Sequence, residues 1–337
     1  MAIRDHPAMP DGDGAPAEID RDGGARGVAV TAAQARAAHA LAQEAALAKI
    51  VSRLRALDIR PLLIKGPVTA RLLYDDPDER VSADIDLLVS PDRFDDAAAV
   101  LRDLGFRKRY SEARPSEQTE HADEWALAGP LPVAVDLHRS LFLVTDPARA
   151  HAVLSRHTEV ISCGAVPIDA PDDAGSALIM ALHAAQHLGQ TTRPQDDLRR
   201  AIARLPAATW TQASERATEL GVSPAFALGL RTVPEGDALA AMLALDEPPP
   251  EGSRLRIAGA FRDAPRLVDA LRASDWRALA SSLRDATFPS RAFMHAKYPQ
   301  TIGSLPRLLL AYAGRLKRAP AAIAQVIRLI ADGSSDT

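Results

Sequence analysis

Residues 62–106 read LLIKGPVTARLLYDDPDERVSADIDLLVSPDRFDDAAAVLRDLGF, and this stretch decides the fold. Leu62-Leu63-Ile64 is a short apolar run that ends in Lys65-Gly66-Pro67. It predicts a buried strand, a tight turn, and a helix with proline at its first position. That helix ends near Tyr74, and Asp75-Asp76-Pro77-Asp78 forms a loop. Ile85, Leu87, Leu88 and Val89 predict a second strand. Ser90-Pro91-Asp92 then marks a helix start: a capping serine, a proline at the first position, and an acid at the positive helix end. Phe94, Ala97, Ala98, Leu101 and Leu104 supply its buried face, and Gly105 its stop.

On the N-terminal side, Leu47, Ile50, Val51, Leu54 and Leu57 recur at helical spacing and predict a helix that ends before Pro61. Residues 1–27 have no apolar period and read as a disordered tail. On the C-terminal side, Phe106–Tyr110, Trp125–Leu127 and Val133–Leu137 predict three further strands, and Ile161–Gly164 a hairpin carrying Cys163. Beyond about residue 170 strand signals fade. Helices are expected over 172–189, 194–205, 209–220, 223–230, 254–273, 275–285 and 304–331. The order predicts an α/β domain over 28–170, including the N-terminal helix, followed by an all-helical domain over 171–333.

The composition agrees with helical packing. Hydrophobic residues make up 47% of the 337 residues but aromatics only 4%, too few for a sandwich or barrel rich in aromatic strands. The net charge is −4 and argues against a globally basic nucleic-acid binder. Residues 1–27 hold six acids and three arginines, so the tail carries −3 of that charge. Only five of the 40 basic residues are lysines, Lys65 among them. The single cysteine, the lack of a 20-residue apolar run and the lack of a signal pattern lead to the expectation of a soluble cytoplasmic protein without membrane partners.

The chemistry concentrates on carboxylates. Asp84-Ile85-Asp86 opens a strand, and alternate strand residues share a face, so Asp84 and Asp86 point the same way. Two like charges there call for a cation, and Mg²⁺ takes one or two carboxylates plus substrate phosphates. In Val135-Asp136-Leu137-His138 the same alternation puts Asp136 and His138 on one face. A third carboxylate from a neighbouring strand would complete a site for in-line phosphoryl displacement. An ordinary solvated polar face is the plain alternative. Lys65 at the strand end and Gly66 before a helix N-terminus add an anion site. Neither GxxxxGK[ST] nor GxGxxG occurs at this turn.

Together these pieces resemble the uncharacterised nucleotidyltransferase family of the polymerase-β-like superfamily. The resemblance rests on apolar-Lys-Gly, a short helix ending in tyrosine, an arginine, Asp-Ile-Asp-Leu-Leu-Val, a helix ending in Gly-Phe, the later Val-Asp-Leu-His, and Ala-Leu-His-Ala-Ala-Gln-His-Leu-Gly followed by Asp196-Asp197-Leu198. It covers about residues 60–235. It implies a nucleotidyltransferase-like α/β (α+β) domain with a mixed sheet. It implies Mg²⁺ (or Mn²⁺) on Asp84, Asp86 and Asp136, and an NTP whose phosphates meet Lys65 and Gly66. Lys-Gly stands where the wider superfamily has Gly-Ser or Gly-Gly. The resemblance further implies a small-molecule or peptide acceptor, as in peptide natural product biosynthesis. It also allows glycosyl transfer from a nucleotide sugar.

Four more residues belong to the candidate set. Arg80, four residues before Asp84, has the guanidinium fork to clamp a phosphate. His138 follows the third carboxylate. His183 and His187 share a helix face. They read as a zinc pair, as the lining of a cleft between the domains, or as a packed helix face. Of Asp196 and Asp197, one suits the helix dipole and the other could hold a histidine or meet the acceptor. Besides the enzyme, a non-catalytic peptide or nucleotide-binding module and a toxin-like transferase share this fold. The three clustered acids argue against the module, and the near-neutral folded part against an RNA target.

Overall fold

A computed structural model of the chain describes residues 31–76, 79–114, 117–187, 192–245, 276–277, 284 and 288–317. The expected tail over 1–27 and helix over 254–273 lie outside the described residues, as do most of 275–285 and the end of 304–331.

Helix α1 (Ala32–Ala56) opens with a capping box: Thr31 and Gln34 each take the other's backbone N–H. The α/β part then runs β1 (Leu62–Leu63), α2 (Pro67–Leu73), β2 (Ile85–Leu88), α3 (Phe94–Asp103), β3 (Arg107–Lys108), β4 (Ala122–Leu127) and β5 (Val133–His138). It closes with α4 (Pro147–Ser155) and the hairpin β6 (Thr158–Cys163) and β7 (Val166–Pro171). All seven strands form one sheet in the order β3-β4-β5-β2-β1-β7-β6. β2 runs parallel to β5 and β1 parallel to β7, while the other pairs are antiparallel, so the sheet is mixed.

Helices α5 (Asp173–Gln186), α6 (Arg193–Arg204), α7 (Ala207–Glu219), α8 (Ser223–Leu230) and α9 (Pro234–Met242) follow. Alternation divides the sheet's two faces between two cores. Leu63, Ile85, Leu87, Val135 and Leu137 pack with α1 and α3. Leu62, Ile64 and Leu88 join a different core with α5 to α9. The helices thus cover the second face of the sheet. α5 is buried along nearly all its length. α8 crosses it at Gly229, where an added Cβ would lie 2.0 Å from the Ala181 carbonyl oxygen, so only glycine allows the crossing.

Residues 288–317, with α10 (Arg291–Lys297) and a helix over 305–317, form a small cluster of their own. Phe293, Met294 and Leu308 pack with Ala113 from the β3–β4 connection. The Glu117 carboxylate accepts from the Ser290 backbone and hydroxyl, both at 2.5 Å. The C-terminal segment thus returns to the α/β part. No helix among the described residues is long and apolar enough to cross a membrane.

Two local expectations are corrected. Ser90 caps nothing: Pro91–Arg93 form a 3-10 turn before α3, and the Ser90 hydroxyl donates to Asp92 instead. The third strand is two residues long rather than five, because polar Arg107-Lys108-Arg109 gives the sheet edge no face to bury.

Candidate active site

The site lies on the sheet face turned toward the helices. Parallel pairing of β2 with β5 sets Asp86 opposite Asp136 and Leu88 opposite His138. Antiparallel pairing of β4 with β5 sets Glu124 on the other side of Asp136. Asp86, Asp136 and Glu124 thus form one row across three neighbouring strands. The alternation that buries Ile85, Leu87, Val135 and Leu137 on the opposite face produces this row. β2 begins only at Ile85, so Asp84 occupies the bend before it.

Asp86 is buried and held from two sides. Its Oδ1 accepts from Lys65 Nζ at 3.0 Å and lies 3.0 Å from His138 Nε2. Burial penalises its charge, yet the Lys65 ammonium and the His138 contact keep it well below the usual carboxylate range. Burial also works against Lys65, but Asp86, Asp136 and Asp84 raise it above its ordinary value. The other two acids lack such partners. Burial and the charge of Asp86 push Asp84 up to about 6. Burial, Asp86, Asp84 and Glu124 push Asp136 up to about 8. A divalent cation relieves this kind of carboxylate repulsion.

Among the described residues, ligand atoms of Asp86, Asp136 and His138 gather within 4.8 Å of one another, and Asp84 stays outside that group. Two carboxylates beside a third and a fourth suit a hard cation. His138 is 3% exposed and its Nε2 faces Asp86. Burial lowers its imidazole, which enters the pair as a neutral donor.

The raised carboxylate of Asp136 has a consequence for stability. Its folded value of about 8 lies above its ordinary 3.8. Between those values the folded protein keeps a proton that the unfolded chain has released, so metal-free stability falls as pH rises through that window. In chelator, Asp136→Asn is expected to raise the thermal midpoint at pH 8 by a few degrees more than at pH 4. Equal shifts at both pH values would contradict the cause assigned to it.

The Gly66 turn stands beside this row. Gly66 has φ +61°, and a Cβ there would meet Ser82 Oγ at 2.9 Å. Ser82 in turn donates to the Asp84 carbonyl at 2.9 Å, tying the turn to the start of β2. Some of the amides after Gly66 are taken up within the turn itself. Pro67 has no N–H, Val68 donates to the Lys65 carbonyl at 3.3 Å, and Ala70 donates to the Gly66 carbonyl at 3.0 Å. Lys65 remains the cation at this turn that faces the acids.

Arg80 is paired within the protein. Its guanidinium is spent on Asp197 of α6, with Nη2 at 2.7 Å and Nε at 3.0 Å from the carboxylate. Its Nη1 donates to the Gly66 carbonyl at 3.2 Å. The Tyr74 hydroxyl completes the set by donating to Asp197 at 3.1 Å. Asp197 therefore holds an arginine, not a histidine. Asp196 pairs with Arg199 on the surface.

His183 and His187 stack edge to face, with ring centroids 4.6 Å apart. Among the described residues no third ligand joins them, which sets the zinc reading aside. Burial and the Lys65 charge lower both imidazoles. His183 lines a recess between α2, α5 and α6 together with Lys65, Thr69, Arg80, Met180 and Asp197. Cys163 is buried, and burial pushes its thiol up to about 11, as suits a structural residue. Sequence reasoning missed Glu124. Its only sequence signal is the alternation Asp123-Glu124-Trp125, and its place beside Asp136 follows from the hairpin register.

The fold and the acidic face define a transferase of the nucleotidyltransferase kind. Residues 29–235 match the uncharacterised nucleotidyltransferase family, and the chain belongs to it. No curated protein matches the chain. Among solved structures it is similar to ANT(2″)-Ia in complex with adenylyl-2″-tobramycin, at 14% identity and TM-score 0.39, covering 52% of this chain and 98% of that one. It is also similar to an antigenic nucleotidyltransferase-like protein from Paracoccidioides brasiliensis, at 16% identity and TM-score 0.38, covering 65% and 96%.

Proposed function

We propose that this protein moves a nucleotidyl group from an NTP to a hydroxyl or phosphate of a small molecule, peptide or protein, with Mg²⁺ or Mn²⁺ as cofactor. The observation that carries this reading is the in-register pair Asp86 and Asp136, joined by Asp84 and Glu124 and faced by one lysine. Asp86 and Asp136 hold the divalent ion, with Asp84 at the edge. A bound ion neutralises phosphate charge and organises the in-line displacement. Lys65 meets the phosphates, whose developing charge it offsets. Asp136 would also take the acceptor's proton as the acceptor oxygen bonds to the α-phosphorus and pyrophosphate leaves, and His138 would keep Asp86 aimed at the ion. The recess lined by His183 serves the acceptor side.

The test incubates the protein with Mg²⁺, a panel of NTPs and nucleotide sugars, and candidate hydroxyl acceptors, and reads the masses of the products. Addition of a nucleoside monophosphate to an acceptor supports the reading. Addition of a sugar alone assigns glycosyl transfer instead, and binding without turnover assigns a recognition module.

A further inference from the structure

The cation already present on the acidic face calls for explanation. Lys65 Nζ sits 3.0 Å from Asp86 Oδ1, the better buried of the two central carboxylates. His138 faces the same oxygen. A divalent ion drawn to Asp86 and Asp136 would therefore arrive beside an ammonium. At a separation of a few ångströms in a partly buried site, the two charges repel. Arg80 cannot take over the role of Lys65, because Asp197 and the Gly66 carbonyl occupy its guanidinium.

Lys65 is the more exposed member of this pair. It borders the recess that Thr69, Met180 and His183 line, and its side chain is 19% exposed where that of Asp86 is 5%. The four-carbon stem of a lysine lets its head group change partners without backbone movement. A nucleoside triphosphate offers the ammonium a replacement anion.

We propose that Lys65 is the resident counter-ion of the unliganded acidic face, and that it exchanges Asp86 for phosphate when nucleotide and divalent ion arrive together. The inference rests on the reading of the acidic face as a cation seat. Its consequence is a gated metal affinity. The divalent ion binds weakly alone and tightly with triphosphate, because only the triphosphate draws the lysine away.

The test titrates Mn²⁺ alone into the full chain and follows free Mn²⁺ by electron paramagnetic resonance. Lys65→Gln is expected to bind Mn²⁺ at least about tenfold more tightly than the unmodified chain. Lys108→Gln is the control, since Lys108 pairs with Asp123 rather than with the acidic row, and its Mn²⁺ affinity should be unchanged. Equal or weaker binding by Lys65→Gln overturns the exchange. Absence of Mn²⁺ binding in every form, with and without an α,β-nonhydrolysable triphosphate, overturns the cation-seat reading itself.

A second measurement needs no substitution at Lys65. With only five lysines in the chain, reductive ¹³C-dimethylation gives a sparse NMR spectrum, and the modified amine keeps its charge. The Lys65 signal should move with Mg²⁺ plus the triphosphate and stay in place with Mg²⁺ alone. A signal that moves equally in both cases overturns the exchange.

Discussion

Asp86→Asn and Asp136→Asn are each expected to lower nucleotide turnover by at least about 10³-fold, the scale on which removal of one key electrostatic group acts. The two variants reach this loss by different routes. Asp86 is the carboxylate on which Lys65 and His138 converge, so its amide takes from a buried ammonium its hydrogen-bonded counter-charge. Some loss of stability therefore accompanies the loss of turnover at that position. Asp136 carries no such pair and is crowded by Asp86, Asp84 and Glu124, so its amide should fold at least as well as the natural side chain. The decisive measurement is product formation by Asp136→Asn beside its unfolding curve. A well-folded variant with full turnover would remove Asp136 from the chemistry.

Asp197→Ala has the largest expected effect on stability, about 3–5 kcal/mol, the range for breaking a buried ion pair from one side. The Asp197 side chain is 5% exposed and that of Arg80 9%. Deleting the carboxylate strands the guanidinium inside the protein and frees the Tyr74 hydroxyl. Because α6 and the Gly66 turn meet through Arg80, the damage should reach Lys65 as well. Urea unfolding of the variant measures the loss. Pairing it with Arg80→Met, which removes the stranded charge, should recover a substantial part of it. A midpoint for Asp197→Ala within about 0.5 kcal/mol of the natural chain would show that water reaches the pair and screens it.

The acids of the site were legible because strands have a period of two. Ile85-Asp86-Leu87 and Val135-Asp136-Leu137-His138 disclose their faces without reference to anything distant, whereas Asp84 falls in the bend before the strand. Lys65 and Gly66 were legible because an apolar run ending in Lys-Gly-Pro can only be a strand and a turn. Partnerships between remote segments were not. Arg80 lies 117 residues from Asp197, and both side chains suit several partners. Read alone, the fork of Arg80 suggested a phosphate, and only the packing of α6 against α2 shows the carboxylate that takes it. Glu124 was hidden for a related reason. Its neighbour depends on the register of β4 against β5, which is set by pairing over the whole hairpin. His138 was placed on the right face, but its burial depends on the helices above it.

The shared core of the sheet and α5 to α9 bears on how such proteins can diversify. Leu62, Ile64 and Leu88 of the sheet belong to the same apolar cluster as Leu178, Trp210 and Phe226 of the helices. The helical half is therefore not a cassette that recombination could exchange whole, since any replacement would have to fit the side chains of β1 and β2. Divergence would instead have to proceed by substitution on surfaces already in place.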